Sequence, residues 1–322
     1  MVGIVAFGAY VPRLRLNRQA AYDANKWFAP GLRGLAKGER SMANWDEDSI
    51  TMAVEASRDC LTSHKAEDVR NIYFASTTHP FKDRQNAGVI GTALNVEQNL
   101  SATDIGGSLK AGTSALIAGL NASKGGAPSL VAAADKRLAR VASSGELNYG
   151  DGAAALLCGT ENVIAKLVGH HSVSMDFVDH FRGDESDFDY GWEERWIRDE
   201  GYSKIVPPAI KAALAACKLK GSDITQFIMP SLMPAVPKQM AKICGIAEGA
   251  VRDLLGANLG DTGAAHALVM LVDALEGAKA GDKIMVVAFG QGVDTLVFEV
   301  TAEKDKLPKR KGVSGWMARR KE

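Results

Sequence analysis

The residues best suited to chemistry lie in one short run, 103–116, TDIGGSLKAGTSAL. A strand is predicted to end near Ile105. Gly106 and Gly107 then make a tight turn, and a small-residue helix starts near Ser108. Such an elbow aims backbone N–H groups at one point and suits an oxyanion hole. Ser108 can donate its hydroxyl there, or cap the helix. Lys110 follows directly, and the helix direction turns its side chain away. His266 lies inside the apolar run GAAHALVML, beside Asp261 and Thr262. It reads either as a hydrogen-bonded core histidine or as an acid/base group. His79 follows Thr77-Thr78 at a predicted strand end, where α/β sites gather, although a loop histidine before Pro80 fits equally well. Asp151, in YGDG, reads as a turn-fixing residue. Cys60, Cys158, Cys217 and Cys244 are scattered without a CxxC pair, so neither a metal site nor a disulfide framework is indicated. Cys60 and Cys158 look like buried small hydrophobes.

The elements that position these residues alternate in type. Strands are predicted at 2–7, 71–76, 129–134, 153–158 and 163–168, the last two as potential neighbours. The stretch 13–45 reads as helix and loop. Acidic residues 46–48 open a helix carrying Ile50, Ala53, Val54, Ala56 and Cys60 on one face. A buried helix spans 108–123. Later come a helix at 204–218, with Pro207-Pro208 in its first turn, and a strand at 226–229. A small-residue helix follows at 263–275, then strands at 283–289 and 295–300 paired across Gly290-Gln291-Gly292. The run from Ala111 (AGTSALIAGLNASKGGAPSLVAAAD) lays over the run from Thr262 (TGAAHALVMLVDALEGAKAGDKIMVVAFG). This pattern predicts a duplicated α/β/α unit with largely parallel sheets. The expected units are 1–160, 161–302 and a basic tail, 303–322. That tail reads as a solvated segment, or as an arm for a partner or an anionic cofactor.

The 322 residues carry 38 basic and 38 acidic side chains, so the net charge is zero and nucleic acid is not the expected partner. With 46% hydrophobic residues, the chain is of ordinary globular composition rather than disordered. No run has the length of a membrane span, and the N-terminal residues lack signal-peptide features. The expected compartment is the cytoplasm.

Several motifs in series resemble the thiolase superfamily: GIVAFGAYVPRLRLNR, DEDSITMAVEA, ASTTHP, KAGTSAL, YGDGAAALL and GDTGAAHAL. The resemblance covers about residues 1–302 and is nearest to the branch of 3-hydroxy-3-methylglutaryl-CoA synthase and ketoacyl-ACP synthase III. It implies an α/β protein with a five-layer αβαβα fold of two similar halves, a homodimer, and acyl-CoA substrates without metal or redox cofactor. It also implies a cysteine nucleophile at the elbow, a histidine after the first strand of the second half, an asparagine at the GNT-like turn and, in the synthase branch, a glutamate base. On this alignment those positions hold Leu109, Pro230, Asp261 and Thr77. Leucine cannot be acylated, so a ping-pong acyl-enzyme and ordinary synthase activity are not expected.

The expected catalytic set is then His266, Asp261, Thr77 and His79. The thioester is expected to contact Ser108, Gly112, Thr262 and Gly263. The aromatic and charged segment 188–196 corresponds to the family's insertion that shapes the acyl pocket, or else simply packs. Two functions fit. One is an enzyme making or breaking a C–C bond by aldol, retro-aldol or Claisen-type chemistry without an acyl-enzyme; relatives of that kind work with an OB-fold, zinc-ribbon protein. The other is a non-catalytic acyl-CoA-binding or scaffold subunit of a heteromer.

Overall fold

The computed structural model describes residues 1–320. In the first half, β1 (Gly3–Tyr10) is buried along its whole length, as a central strand covered on both faces must be. β2 (Leu14–Asn17), α1 (Arg18–Asn25) and β3 (Glu39–Met42) follow. α2 (Ser49–Cys60) opens on a capping box: the Asp48 carboxylate accepts from the Thr51 N–H, and the Thr51 hydroxyl accepts from the Asp48 N–H. β4 (Asn71–Ala75), α3 (Asn86–Ala93), β5 (Ser101–Ile105), α4 (Ala111–Ala122), β6 (Ser129–Asp135), α5 (Ser144–Asn148) and β7 (Gly152–Gly159) complete the half. The second half holds β8 (Ala165–Ser174), β9 (His180–Phe181), β10 (Tyr190–Gly191), α6 (Glu194–Trp196) and α7 (Ser203–Ala216). It ends with β11 (Gln226–Ile228), α8 (Val236–Ile243), α9 (His266–Gly277), β12 (Lys283–Phe289), β13 (Gly292–Val300) and α10 (Gly312–Met317).

Among the described residues, nine strands join in the order β11-β12-β13-β8-β1-β7-β6-β4-β5. The order repeats. In the first half β1 lies antiparallel to β7, β7 antiparallel to β6, β6 parallel to β4 and β4 parallel to β5. In the second, β8 lies antiparallel to β13, β13 antiparallel to β12 and β12 parallel to β11. A single parallel bridge from Phe227 to Val251 stands where the first half has β5. The halves meet at β1 and β8 through two paired positions, Gly3 with Lys166 and Ile4 with Ala165. α2 covers β1, β7 and β6, and α7 covers β8 and β13. α4 and α9 pack against each other between them. Gly112 permits that approach, because a Cβ there would lie 2.3 Å from the Ala264 carbonyl oxygen.

The sheet is mixed rather than largely parallel. Strands buried on both faces are apolar throughout, and such runs carry no signal of direction. β1 separates β7 from β8, so the two are not neighbours as expected from their succession. The stretch 13–45 forms the β2–β3 pair beside α1 rather than helix and loop alone. Pro207 and Pro208 sit inside α7, not in a first turn, because α6 and a π-helical stretch at Ile197–Tyr202 extend the helical run upstream.

The basic tail is neither a solvated segment nor a free arm over its described part. Arg310 donates to the Phe7 and Cys60 carbonyls at 2.8 and 3.1 Å. Asp59 accepts from the Lys311 and Gly312 N–H groups, each at 2.8 Å. Trp316 is buried edge-on to Tyr10 at 4.6 Å, with Lys311 and Arg319 over its ring. One apolar tryptophan thus anchors a charged segment to the body. Lys321 and Glu322 lie outside the described residues.

Asp151 ties β3 to β7, its carboxylate accepting from the Ala43 N–H at 2.8 Å. Burial raises its pKa to about 6, against smaller opposing contributions from that N–H, Arg40, Lys136 and Arg137. A raised folded pKa favours the folded state below the unfolded value, near 4, and that advantage disappears as pH rises through about 6. Asp151→Asn keeps an acceptor without the charge. At pH 8 it is expected to be more stable than the parent by on the order of 2–3 kcal/mol, shrinking to nothing near pH 4. Denaturant melts at both pH values check this.

Candidate functional site

The elbow forms as expected, one turn later. β5 ends at Ile105, Gly107 adopts φ +79°, and α4 begins at Ala111. Ser108 is therefore not the helix cap. Its hydroxyl donates to the Gly290 carbonyl at 2.7 Å, pinning the elbow to the β12–β13 turn. Gly290 must stay small, since a Cβ would meet the Ser108 oxygen at 2.6 Å and the Leu109 nitrogen at 3.2 Å. Lys110 points away, to the buried Asp294 at 3.3 Å, which also accepts from the Thr113 and Ser114 hydroxyls.

Leu109 faces a cavity of about 760 Å³. Pro230, Asp261 and Gly263 line the same space, with Phe188, Gly191, Trp192 and Glu194 of the aromatic segment. That segment therefore shapes the cavity. Its rings form a chain, Tyr190 to Trp192 to Trp196, ending stacked on Phe177 at 4.3 Å. A second chamber of about 300 Å³ is lined by Thr77, His79, Gly106, Ser108 and Gln291. Asp179, His180 and Asp189 border both spaces.

A buried ion cluster holds the walls. Arg137 follows β6, pairs with Asp261, lies 3.9 Å from Asp189 and stacks on the Tyr149 ring at 3.8 Å. Burial pushes the Asp261 carboxyl up, but Arg137, His266 and the Gly263 N–H outweigh it, leaving the pKa below the usual range. Asp261 is thus held as a carboxylate and is no proton donor. Arg182 donates to Asp189 at 2.6 Å and to the Thr77 carbonyl. Asp135, at the end of β6, accepts from Ser76, Thr78, the Ala264 N–H and both the N–H and hydroxyl of Thr77. The Thr77 hydroxyl is committed to that carboxylate and helps to hold the loop.

The structure separates the two expected histidines. His266 is buried and both ring nitrogens are engaged: Nδ1 accepts from the Thr262 N–H at 3.2 Å, and Nε2–H donates to the Leu254 carbonyl at 2.9 Å. Burial lowers its pKa, offset in part by Asp261 and the Leu254 carbonyl. It borders a different groove from Leu109. This is the arrangement of a hydrogen-bonded core histidine. His79 does line the smaller chamber, packs edge-on to Phe74 at 5.1 Å, and has a buried Nε2 without a hydrogen-bond partner. Gly112 and Thr262 are packed inside the protein, so of the expected thioester contacts only Ser108 and Gly263 line open space.

Burial pushes Cys60 up to about 12 and raises Cys158, Cys217 and Cys244 as well. None of the four lines the Leu109 cavity. A thiolate nucleophile is absent from it among the described residues. Also among the described residues, no cluster of three His, Cys, Asp or Glu side chains is arranged to hold a metal ion, and no helix is long and apolar enough to cross a membrane.

No family model matches the chain. Hydroxymethylglutaryl-CoA synthase of Methanocaldococcus jannaschii is 28% identical, over 96% of this chain and 93% of that protein. The protein of the same name from Pyrococcus furiosus is 29% identical, over 99% and 93%. The fold matches a crystal structure of HMG-CoA synthase complexed with CoA, with TM-score 0.84 and 17% identity, over 99% of this chain and 87% of that one. It also matches 3-oxoacyl-[acyl-carrier-protein] synthase III from Aquifex aeolicus, with TM-score 0.78 and 18% identity over 93% and 100%. The chain is thus similar over nearly its whole length to hydroxymethylglutaryl-CoA synthases, and it has the thiolase-like fold.

Leu109, Pro230 and Asp261 border one cavity although they lie far apart in sequence. Pro230 follows β11, the second strand in chain order that its half gives to the nine-stranded sheet, after β8. Sequence reasoning missed Arg137, Asp179, His180 and Asp189. A signal existed for the first: SLVAAAD runs into Lys136-Arg137 at a strand end, where α/β sites gather. Asp179 and His180 are sequence neighbours without motif or periodicity, and only the fold brings them to Leu109.

Proposed function

We propose that this protein acts on acyl-CoA thioesters, making or breaking a C–C bond without a cysteine acyl-enzyme. The observation that carries the reading is the Leu109 cavity. Leu109, which the resemblance sets at the superfamily's elbow position, lies in its wall beside ionisable groups, and among the described residues no thiol does. Aldol and retro-aldol chemistry on a β-hydroxyacyl thioester needs a base and donors for the carbonyl oxygen, but no thiolate.

The Leu109 N–H donates to none of the described residues and is one such donor. The adjacent groove, of about 620 Å³, shares Leu35, Ser231 and Asp261 with the cavity. Arg18, Lys37, Lys238 and Arg252 line it against Asp253 and Asp261, a net basic wall suited to the phosphates of coenzyme A. The acyl cavity itself is walled by Asp179, Asp189, Glu194 and Asp261 against Arg137 and Arg140. That balance favours an uncharged acyl chain over a carboxylate-bearing one.

The test is incubation with a panel of 3-hydroxyacyl-CoA thioesters, HMG-CoA among them, followed by mass spectrometry of the products. Release of a shorter acyl-CoA with an aldehyde or ketone is the expected result. Binding of the thioesters without turnover would replace this reading with that of a non-catalytic binding subunit.

A further inference from the structure

From the way β9 and the segment before it present an Asp–His pair to the cavity, we infer that His180 is the general base of this site, with Asp179 as its positioning residue. The inference rests on the acyl-CoA reading above. His180 lies on β9, whose pairing with β10 sets His180 opposite Gly191. The Asp179 carboxylate accepts from the His180 N–H at 2.9 Å and stands 3.0 Å from its ring Nδ1. Asp179 is itself anchored, its carbonyl accepting from the Trp192 N–H at 2.9 Å. Nδ1–H therefore donates to the carboxylate, which leaves the lone pair on Nε2. Nε2 bonds to none of the described residues. His180 borders both the Leu109 cavity and the chamber at Ser108, so a thioester crossing the elbow passes it.

No other base is as well placed. His266 is saturated with bonds and lies in another groove. Asp135 is spent on the 76–78 loop. Asp261 and Asp189 are spent on Arg137 and Arg182. His79 lines the smaller chamber only, and no carboxylate fixes its tautomer.

The step balances without an added reagent. His180 Nε2 takes the proton of the substrate's β-hydroxyl. The O–H pair closes a C=O bond as the Cα–Cβ bond breaks. The electrons of that bond enter the thioester as an enolate, and the imidazolium returns the proton to Cα. The products are one aldehyde or ketone and one shortened acyl-CoA. The charged groups nearest His180 are Asp179, Asp189, Arg137 and Arg182, and Arg140, Glu194, Asp261, His79, Tyr149 and Tyr202 complete the titratable lining of the two spaces. Burial lowers the imidazole pKa, but Asp179 and Asp189 outweigh that and Arg137, and the net value is raised. The basic form gains as pH rises, so kcat/KM should climb through a pKa above the ordinary histidine value.

The experiment uses the full chain and the best thioester of the 3-hydroxyacyl-CoA panel. His180→Gln should lower kcat at least about 100-fold with KM little changed. Asp179→Asn should move the acidic limb of the pH profile to lower pH. It should move the His180 ring titration, read by NMR, in the same direction, and that readout holds even if His180→Gln folds poorly. Parental turnover with undiminished kcat in His180→Gln overturns the inference and leaves the acyl-CoA reading standing. An unmoved His180 titration in Asp179→Asn overturns the pairing. A parent that turns over no thioester overturns the reading and this inference together.

Discussion

Arg137→Met is expected to cost about 3–5 kcal/mol of stability, the usual loss when one partner of a buried ion pair is removed. Arg137 is 7% exposed, and it faces Asp261, Asp189 and the Tyr149 ring at once. Methionine fills the same space but leaves the Asp261 carboxylate buried without its cation. Loss of that charge lets burial push the Asp261 pKa up. Asp261 now adds stability above its depressed pKa, and that contribution fades as pH falls through it. The variant should therefore be most impaired at neutral and alkaline pH. Adding Asp261→Asn should recover part of the loss, since the two residues are coupled. Urea denaturation of both variants checks this. A loss below about 1 kcal/mol, the range of exposed pairs, would contradict the picture of a buried clamp.

Leu109→Cys is expected to gain chemistry that the parent lacks. The four native thiols are raised by burial and none faces the cavity. A cysteine at 109 would stand at the N-terminal end of α4, where the helix field favours a thiolate. One thiol per chain should then react with iodoacetamide under native conditions, and acetyl-CoA should transfer one acetyl group to it. Peptide mapping locates both adducts. A variant whose new thiol stays as inert as the native ones would mean that Leu109 does not occupy the elbow's reactive position.

Local signals carried much of the architecture. The GG turn between β5 and α4, the Asp48 cap and the Gly290–Gln291 hairpin are each set by a few adjacent residues, and the sequence places them within a turn. The repeated order of strands was legible because both runs, from Ala111 and from Thr262, pair a small-residue helix with a buried strand. Strand direction was not legible, because β1 and β7 are apolar on both faces and an antiparallel strand has the same composition as a parallel one. The tail was misread because its many charges mask two buried apolar side chains, Val313 and Trp316.

The site was less legible than the fold for a related reason. Leu109, Pro230 and Asp261 could be placed by motif order, and they do border one space. The partners of each side chain could not. His266 in its apolar helix and His180 beside Asp179 are equally plain in sequence. They differ in what the fold sets against them: the Thr262 N–H and Leu254 carbonyl close off one, and open cavity faces the other.

The central claim, acyl-CoA chemistry without a covalent acyl-enzyme, is tested most directly by quenching the protein during turnover of a 3-hydroxyacyl-CoA. Intact mass and small-molecule products are then read from the same sample. The account predicts a shortened acyl-CoA and an aldehyde or ketone, while the chain keeps its unmodified mass. An acyl group trapped on any of Cys60, Cys158, Cys217 or Cys244 would contradict it.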